Sequence, residues 1–216
     1  MQDPPWYRLV EPFQFFAFSG KGPHASLICD ALRVRRRLYR EQFGNTPLAD
    51  ADDYDEDAVH VLTYLHGEPV CSCRIVSQCA ALGLELARYA DVWDLHSEDR
   101  TYAEISRLAL ASEYRRITSQ SFLLLGLLKT TLAVAQGQRF TDYLIWVRPP
   151  LVPLYRALGF VDIPGRSFPH AALANTVHQV MRLDMTQFDT NRQRPMARVY
   201  FDPLPSNITI LLNGHS

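Results

Sequence analysis

The sequence predicts a mixed α/β layer built around one sheet, and three observations carry that prediction. A helical pattern over His24–Phe43 is followed by a β-hairpin rather than by a crossover strand. From Thr101 onward the order is strand, helix, strand, helix, strand, which is not a regular doubly wound series. Neither a GxGxxG nor a Walker motif occurs, so nucleotide redox chemistry and phosphoryl transfer lack their usual sequence support. The 216 residues are 47% hydrophobic and 21% charged, which suits a globular chain read as one domain. Within it the reading assigns residues 1–23 to an N-terminal arm, 24–185 to the core and 186–216 to a C-terminal extension.

In chain order, residues 1–23 combine Pro, Gly and aromatics (Trp6, Phe13, Phe15, Phe16, Phe18) and read as an arm over the core. In the first helix Leu27, Ile28, Ala31, Leu32, Val34, Leu38, Tyr39 and Phe43 recur at spacings of three and four, until Gly44 and Pro47 stop it. An acidic loop, Asp50–Asp57, leads to the hairpin, where Val59–Leu65 alternates, HGEP turns the chain and Val70–Ser77 returns. Leu82–Val92 reads as a short helix. Ser119–Gln136 is a strongly apolar helix ended by Gly137, and Tyr143–Val147 is a short buried strand. Leu151–Leu158 is a helix entered through two prolines. Phe160–Ile163 and His178–Leu183 read as the last strands, joined by a Pro/Gly/Ala loop.

With 22 Lys+Arg against 23 Asp+Glu, the net charge of −1 gives no electrostatic case for nucleic acid. No apolar run is long enough to span a bilayer, and the first residues lack the pattern of a signal peptide, so a cytoplasmic location is expected. Cys71 and Cys73 are two apart in a strand, which reads as packing rather than metal ligation, and no metal site is expected.

The stretch Thr101–Arg116, TYAEISRLALASEYRR, holds the main puzzle. Strict alternation would put Glu104 and Arg107 on opposite faces of a strand buried on both sides. A charge in apolar surroundings is costly unless paired. A bulge near Ser106–Ala109 would reset the alternation and free backbone groups in mid-sheet. The stretch therefore makes either a buried ion-pair network or the floor of an active site.

The segment Leu154–Phe160, LYRALGF, resembles the acyl-thioester-binding helix and following strand of GCN5-related N-acyltransferases, with Tyr155, Gly159 and Phe160 in the matching places. The N-terminal half resembles the acyl-homoserine lactone (autoinducer) synthases and the related long-chain N-acyl amino acid synthases. Arg35 and Tyr39 match that group's Arg and aromatic at i and i+4, and Asp52 and Asp55 match its paired aspartates. Arg74 matches the arginine of the second hairpin strand, and Glu104, Ser106 and Arg107 match its Glu-x-Ser-Arg. The resemblance covers roughly residues 27–162. It implies a mixed, mostly antiparallel sheet flanked by helices and splayed at a bulged central strand.

Two departures matter. Asn45 stands where the homoserine lactone synthases carry a tryptophan implicated in holding S-adenosylmethionine. The acetyl-CoA-binding Gly-rich loop is replaced by Glu113–Ser121, EYRRITSQS. The departures point away from homoserine lactone chemistry and free acetyl-CoA, and the resemblance then implies transfer of a long acyl group from acyl carrier protein, as its phosphopantetheine thioester, to the α-amine of an amino acid such as tyrosine. No permanently bound cofactor is implied. The alternatives are a homoserine lactone synthase using S-adenosylmethionine and a non-catalytic acyl-carrier or acyl-lipid binding protein.

Such a transfer needs a proton acceptor, an oxyanion donor and a proton for the departing thiolate. Glu104 is the candidate base, the backbone N–H groups of Leu108, Ala109 and Leu110 the oxyanion donors, and Tyr155 the acid. Glu104 and Arg107 also admit a purely structural reading as an ion pair. The resemblance casts Arg35, Tyr39, Asp52, Asp55, Arg74, Ser106 and Arg107 as a network bracing the N-terminal half over the site. Arg115 and Arg116, at a helix start, are candidates for the donor's phosphate, with Ser119, Phe122 and Trp146 beside the acyl chain. Arg33, Arg36, Arg37 and Arg40 are either a solvated helix face or a docking face for an acidic carrier protein.

Overall fold

A computed structural model describes residues 10–92, 99–111, 114, 117–187 and 202–212, with the side chains of Ala25 and of residues 117–122 outside the description. Eight strands form one sheet, β1 (Phe13–Ser19), β2 (Val59–Leu65), β3 (Glu68–Ser77), β4 (Tyr102–Leu110), β5 (Asp142–Val147), β6 (Val161–His170), β7 (Thr176–Asp184) and β8 (Ile208–Leu211). Their order across the sheet is β6-β7-β5-β4-β3-β2-β1-β8. The pairs β4–β5 and β1–β8 are parallel and the other five antiparallel. This is the mixed, mostly antiparallel sheet that the family resemblance implies.

The helices are α1 (Ala25–Phe43), α2 (Ile117–Gln138) and the short α3 (Val152–Ala157). On one face Ser72 of β3 donates from Oγ to the Ala31 carbonyl of α1 at 3.3 Å, and Tyr64 of β2 donates to Asp30 at 2.6 Å. On the other face Phe13, Phe15 and Ala17 of β1 are buried toward α2. There α2 comes so close that a Cβ on Gly126 would run into the Phe15 ring. Leu158 caps helix α3, and Gly159 takes φ 97°, the left-handed turn that leads through Phe160 into β6.

Several sequence-based expectations change. The arm assigned to residues 1–23 contains β1, a strand held between β2 and β8 inside the sheet. Its alternation of buried Phe13, Phe15 and Ala17 with Gln14 and Phe16 is strand patterning, which the neighbouring Pro and Gly obscured. Residues 1–9, with Trp6, lie outside the described residues. The extension 186–216 likewise contributes β8, whose Ile208 pairs in register with Phe15. The helix expected over Leu82–Val92 is one 3-10 turn, Glu85–Arg88, because Glu85 and the Leu86 N–H are engaged by buried charges. The loop expected after Ile163 is the continuation of β6, an edge strand that absorbs its Pro and Gly residues in a register shift between Asp162 and Ser167.

The tight α2–β1 contact yields a measurable expectation. Gly126→Val should destabilise the fold by about 1–3 kcal/mol through overpacking against Phe15, read as a lower midpoint in urea denaturation. An unchanged midpoint would show that α2 does not approach β1 this closely.

Candidate active site

The site begins with a defect in β4. Arg74 of β3 pairs with Ser106, but Ser72 pairs with Ala109, so Arg107 and Leu108 together face only Cys73. Arg107 takes up the extra residue at φ 54°, a left-handed conformation that a long side chain rarely adopts. The reset of alternation returns the Arg107 side chain to the face that already holds Glu104, where both meet the same buried charges.

The other edge of β4 is also open. Only Tyr102–Glu104 pair with β5, opposite Asp142–Leu144, and beyond Glu104 no residue of β4 pairs with β5. A cavity of about 140 Å³ occupies the resulting fork. Ile105–Leu108 form one wall and Ile145–Arg148 another, with Leu124, Leu127, Leu128 and Thr131 of α2 on one side. Tyr39, Gln42 and Phe43 reach in from α1, and Tyr155, Leu158 and Phe160 close the far side.

Beside the cavity lies a buried polar cluster. Arg35 clamps Asp55 through two hydrogen bonds of 2.9 and 2.6 Å and also donates to the Asp50 carbonyl at 2.8 Å. Arg74, 1% exposed, donates to Asp52, to Asp55 at 2.9 Å, to Glu85 at 2.7 Å and to Ser106 Oγ at 3.4 Å. Arg107 reaches Asp52 at 2.9 Å and Glu85 at 2.5 Å. Backbone N–H groups of Asp52 and Tyr54 add hydrogen bonds to the two aspartates. Burial alone would raise the Asp55 pKa, but hydrogen bonds and charge from Arg35, the Arg74 charge and the Asp52 N–H together hold it well below the usual range. Asp52 is lowered in the same way, with Arg74 and Arg107 outweighing its burial.

Glu104 is the fourth carboxylate against three guanidiniums, and it is fully buried. Burial first, then the charge of Glu85, pushes its pKa up to about 7, although hydrogen bonds from the Leu86 N–H (2.7 Å) and Trp146 Nε1–H (2.8 Å) oppose the rise. Glu104 does not itself line the cavity; it stands directly behind Trp146, which does. A buried carboxyl with a pKa near neutrality is the kind of group that can take and return a proton.

Trp146 is part of an aromatic wall. His170 stacks on it at 5.0 Å, His178 meets it edge-on at 5.1 Å, and Tyr89 and Phe168 complete the group. Burial lowers both histidine pKa values, that of His178 to about 4, so both imidazoles are neutral near pH 7. Tyr155 lines the cavity against Phe160, ring centroids 5.6 Å apart, and burial raises its phenol pKa.

Comparison with known proteins gives this geometry a family. The model of the family described as N-acyl amino acid synthase FeeM matches residues 30–184. The chain belongs to the FeeM family. It is an acyltransferase of the GCN5-related fold, related to N-acyl amino acid synthases and similar in fold to autoinducer synthases. The structure of FeeM, an N-acyl amino acid synthase from uncultured soil microbes, superposes with a TM-score of 0.63 at 18% identity, covering 82% of this chain and 93% of that one. A CoA-dependent acyl-homoserine lactone synthase, BjaI, superposes at 0.62 and 17% identity over 94% and 95% of the two chains. The AHL synthase LasI gives 0.59 at 14% identity over 82% and 92%. No curated protein sequence matches this chain.

In this FeeM-family chain the residues expected to brace the site do come together. Arg35, Asp52, Asp55, Arg74, Ser106 and Arg107 form one cluster, with Tyr39 beside it. Of the three backbone positions offered as oxyanion donors, Leu108 lines the cavity, whereas Ala109 and Leu110 are in register with Ser72 and Cys71 of β3. Trp146, expected beside the acyl chain, lines the cavity and also holds Glu104. Arg115 and Arg116 lie outside the described residues, as do the side chains of Ser119 and Phe122. Asn45 is exposed. Cys71 and Cys73 are buried free thiols, and burial raises the pKa of both. Among the described residues no group of three or more His, Cys, Asp or Glu is placed to hold a metal ion.

Glu85 and the aromatic wall of Tyr89, Phe168, His170 and His178 escaped sequence reasoning. The one available hint was a lone acid inside the apolar run Leu82–Leu86. Glu85 bridges Arg74 and Arg107 and is 2% exposed.

The cluster predicts a pH dependence of stability. Asp52 and Asp55 have folded-state pKa values below their unfolded ones, so their stabilisation is complete above about pH 4 and is lost as the pH falls. Glu104 acts with the opposite sign: the stabilisation from its raised pKa is present below about pH 4 and is lost as the pH rises through about 7. Thermal unfolding should therefore show an acid limb that is shallower in Asp55→Asn than in wild type. Asp55→Ala, which leaves Arg35 buried without its carboxylate, should cost about 3–5 kcal/mol at pH 7.

Proposed function

We propose that this chain transfers a long acyl group from the thioester of acyl carrier protein to the α-amine of an amino acid. The observation that carries the proposal is that one bulged strand carries both a wall of an apolar chamber and a buried carboxyl with a pKa near 7. The chamber suits the acyl chain, since each buried methylene contributes about 0.8 kcal/mol without needing a polar contact. The aromatic wall of Tyr89, Trp146 and Phe168 suits an aromatic acceptor such as tyrosine. The names of the FeeM relatives support an amino acid acceptor, and a cytoplasmic site of action accords with an acyl-carrier-protein donor. Among the described residues no helix is long and apolar enough to cross a membrane.

In the proposed mechanism Glu104 takes the proton that the substrate ammonium must lose, through a water beside Trp146. The free amine attacks the thioester carbonyl, and the Leu108 backbone N–H at the bulge donates to the developing oxyanion. Such a donor is worth about 3 kcal/mol. Collapse of the tetrahedral intermediate breaks the C–S bond as the amine's second proton passes to the departing sulfur, giving the amide and a free thiol. Tyr155 donates to that sulfur, mainly as a hydrogen bond because a phenol of raised pKa holds its proton more tightly than a thiol does. Arg35, Asp55 and Arg74 keep the acidic loop and β3 in place while this happens.

The homoserine lactone reading is disfavoured by the exposed Asn45 where the tryptophan would stand. Carrier docking on α1 would use Arg37, since Arg33 is paired to Asp30, and Arg36 and Arg40 to Asp50.

Incubation with acyl carrier protein thioesters and mixed amino acids, read by mass spectrometry, should yield an N-acyl amino acid; a homoserine lactone formed from S-adenosylmethionine would replace the reading. Parallel CoA thioesters decide the donor. Glu104→Gln should lower kcat by about 10²–10⁴-fold and abolish a rise in rate with an apparent pKa near 7. Retention of that rise would remove Glu104 as the base. Leu127→Trp, which fills the chamber, should shift preference toward shorter acyl donors; an unaltered chain-length profile would place the chain elsewhere.

A further inference from the structure

Arg107 is the one buried guanidinium of the cluster that lines the cavity, and its hydrogen bonding is incomplete. Only NH2 is engaged, by Asp52 and Glu85, while Nε and NH1 are buried without an acceptor. Arg74, on the neighbouring strand β3, has all three of its nitrogens bonded. Leaving charged donors dry is expensive, and such groups in a folded protein call for a ligand or a function. The bulge makes the contrast sharper, because the left-handed backbone at Arg107 is what turns this side chain to the cavity edge.

A second orphan lies on the same side. His170 is 1% exposed, and neither of its ring nitrogens has a hydrogen-bond partner. It stacks on Trp146, the residue that screens Glu104, and it is near enough to Arg107 for that charge to lower its pKa. An unsatisfied cation thus lines the fork, and an unsatisfied neutral imidazole and a carboxyl that ionises near pH 7 both stand against its Trp146 wall.

We propose that Arg107 Nε and NH1 bind the α-carboxylate of the acceptor, with His170 hydrogen-bonding the same molecule, so that the enzyme selects amino acids over simple amines. This rests on the acyl-transfer reading above and names how its acceptor is held. Charge favours it. An amino acid zwitterion brings its anion to Arg107 and its ammonium toward Glu104, adding no net charge to a dry cluster. A plain alkylammonium would bring a cation and leave the Arg107 donors unsatisfied.

The test compares N-dodecanoyl phenylalanine with N-dodecanoyl phenethylamine, which differ only in the carboxylate, by calorimetric titration of the full chain. Wild type should bind the first at least tenfold more tightly, and Arg107→Lys, with folding checked by thermal denaturation, should bring the two within about twofold. His170→Phe should weaken the carboxylate compound more than the phenethylamine one. Equal affinity of wild type for both compounds, or none for either, overturns the carboxylate site and needs no variant to be interpreted. Turnover is judged separately. Acylation of amino acids with no carboxylate preference in binding leaves the reaction standing without this site; carboxylate-dependent binding without turnover keeps the site and removes the reaction.

Discussion

The arrangement depends on one left-handed residue in a buried strand. Without Arg107 at positive φ, β4 would carry Glu104 and Arg107 on opposite faces, and one charge would face the apolar packing beneath α2. With it, Arg107 joins Asp52 and Glu85 on the α1 side. Strain of this kind costs about 1–3 kcal/mol and persists only where the surroundings over-determine it. Here those surroundings are Arg74 and the carboxylates that hold both arginines.

The same region separates β4 from β5. A parallel pair that stops after Glu104 leaves a wedge between two central strands, and the apolar side chains of α2, β5 and α3 line it rather than fill it. Charge and cavity are consequently adjacent without mixing, and Trp146 is the partition, with its ring in the wall and its N–H on Glu104. A carboxyl kept this dry beside Glu85 has its pKa raised, whereas Asp55, clamped by two arginines, has its lowered. Two kinds of carboxylate thus stand in one cluster, one held ionised and one held near neutrality.

Much of this was legible in the sequence. The unlike charges of EISR on an apolar strand implied a bulge, and the bulge lies at Arg107 and Leu108. Arg35, Asp52, Asp55 and Arg74 stood out only through the family resemblance, and they converge in space. The segment FQFFAF was less legible, because flanking Pro and Gly masked a strand whose partners, β2 and β8, come from distant parts of the chain. Glu85 was hidden for a similar reason. A lone acid among leucines has no periodicity, and its meaning comes from arginines 11 residues before it and 22 after it.

The sequence by itself determined the order of the main helices and central strands and the bulge, since these follow from alternation, turn chemistry and the cost of burying a charge. The tertiary structure alone decided which carboxylate stays ionised and which is held near neutrality, because that depends on how many arginines and N–H groups surround each oxygen. It also decided that Glu104 stands behind Trp146 and that Arg107 keeps two nitrogens unsatisfied beside the cavity. Burial and the count of partners are properties of packing, and no local pattern in the chain encodes them.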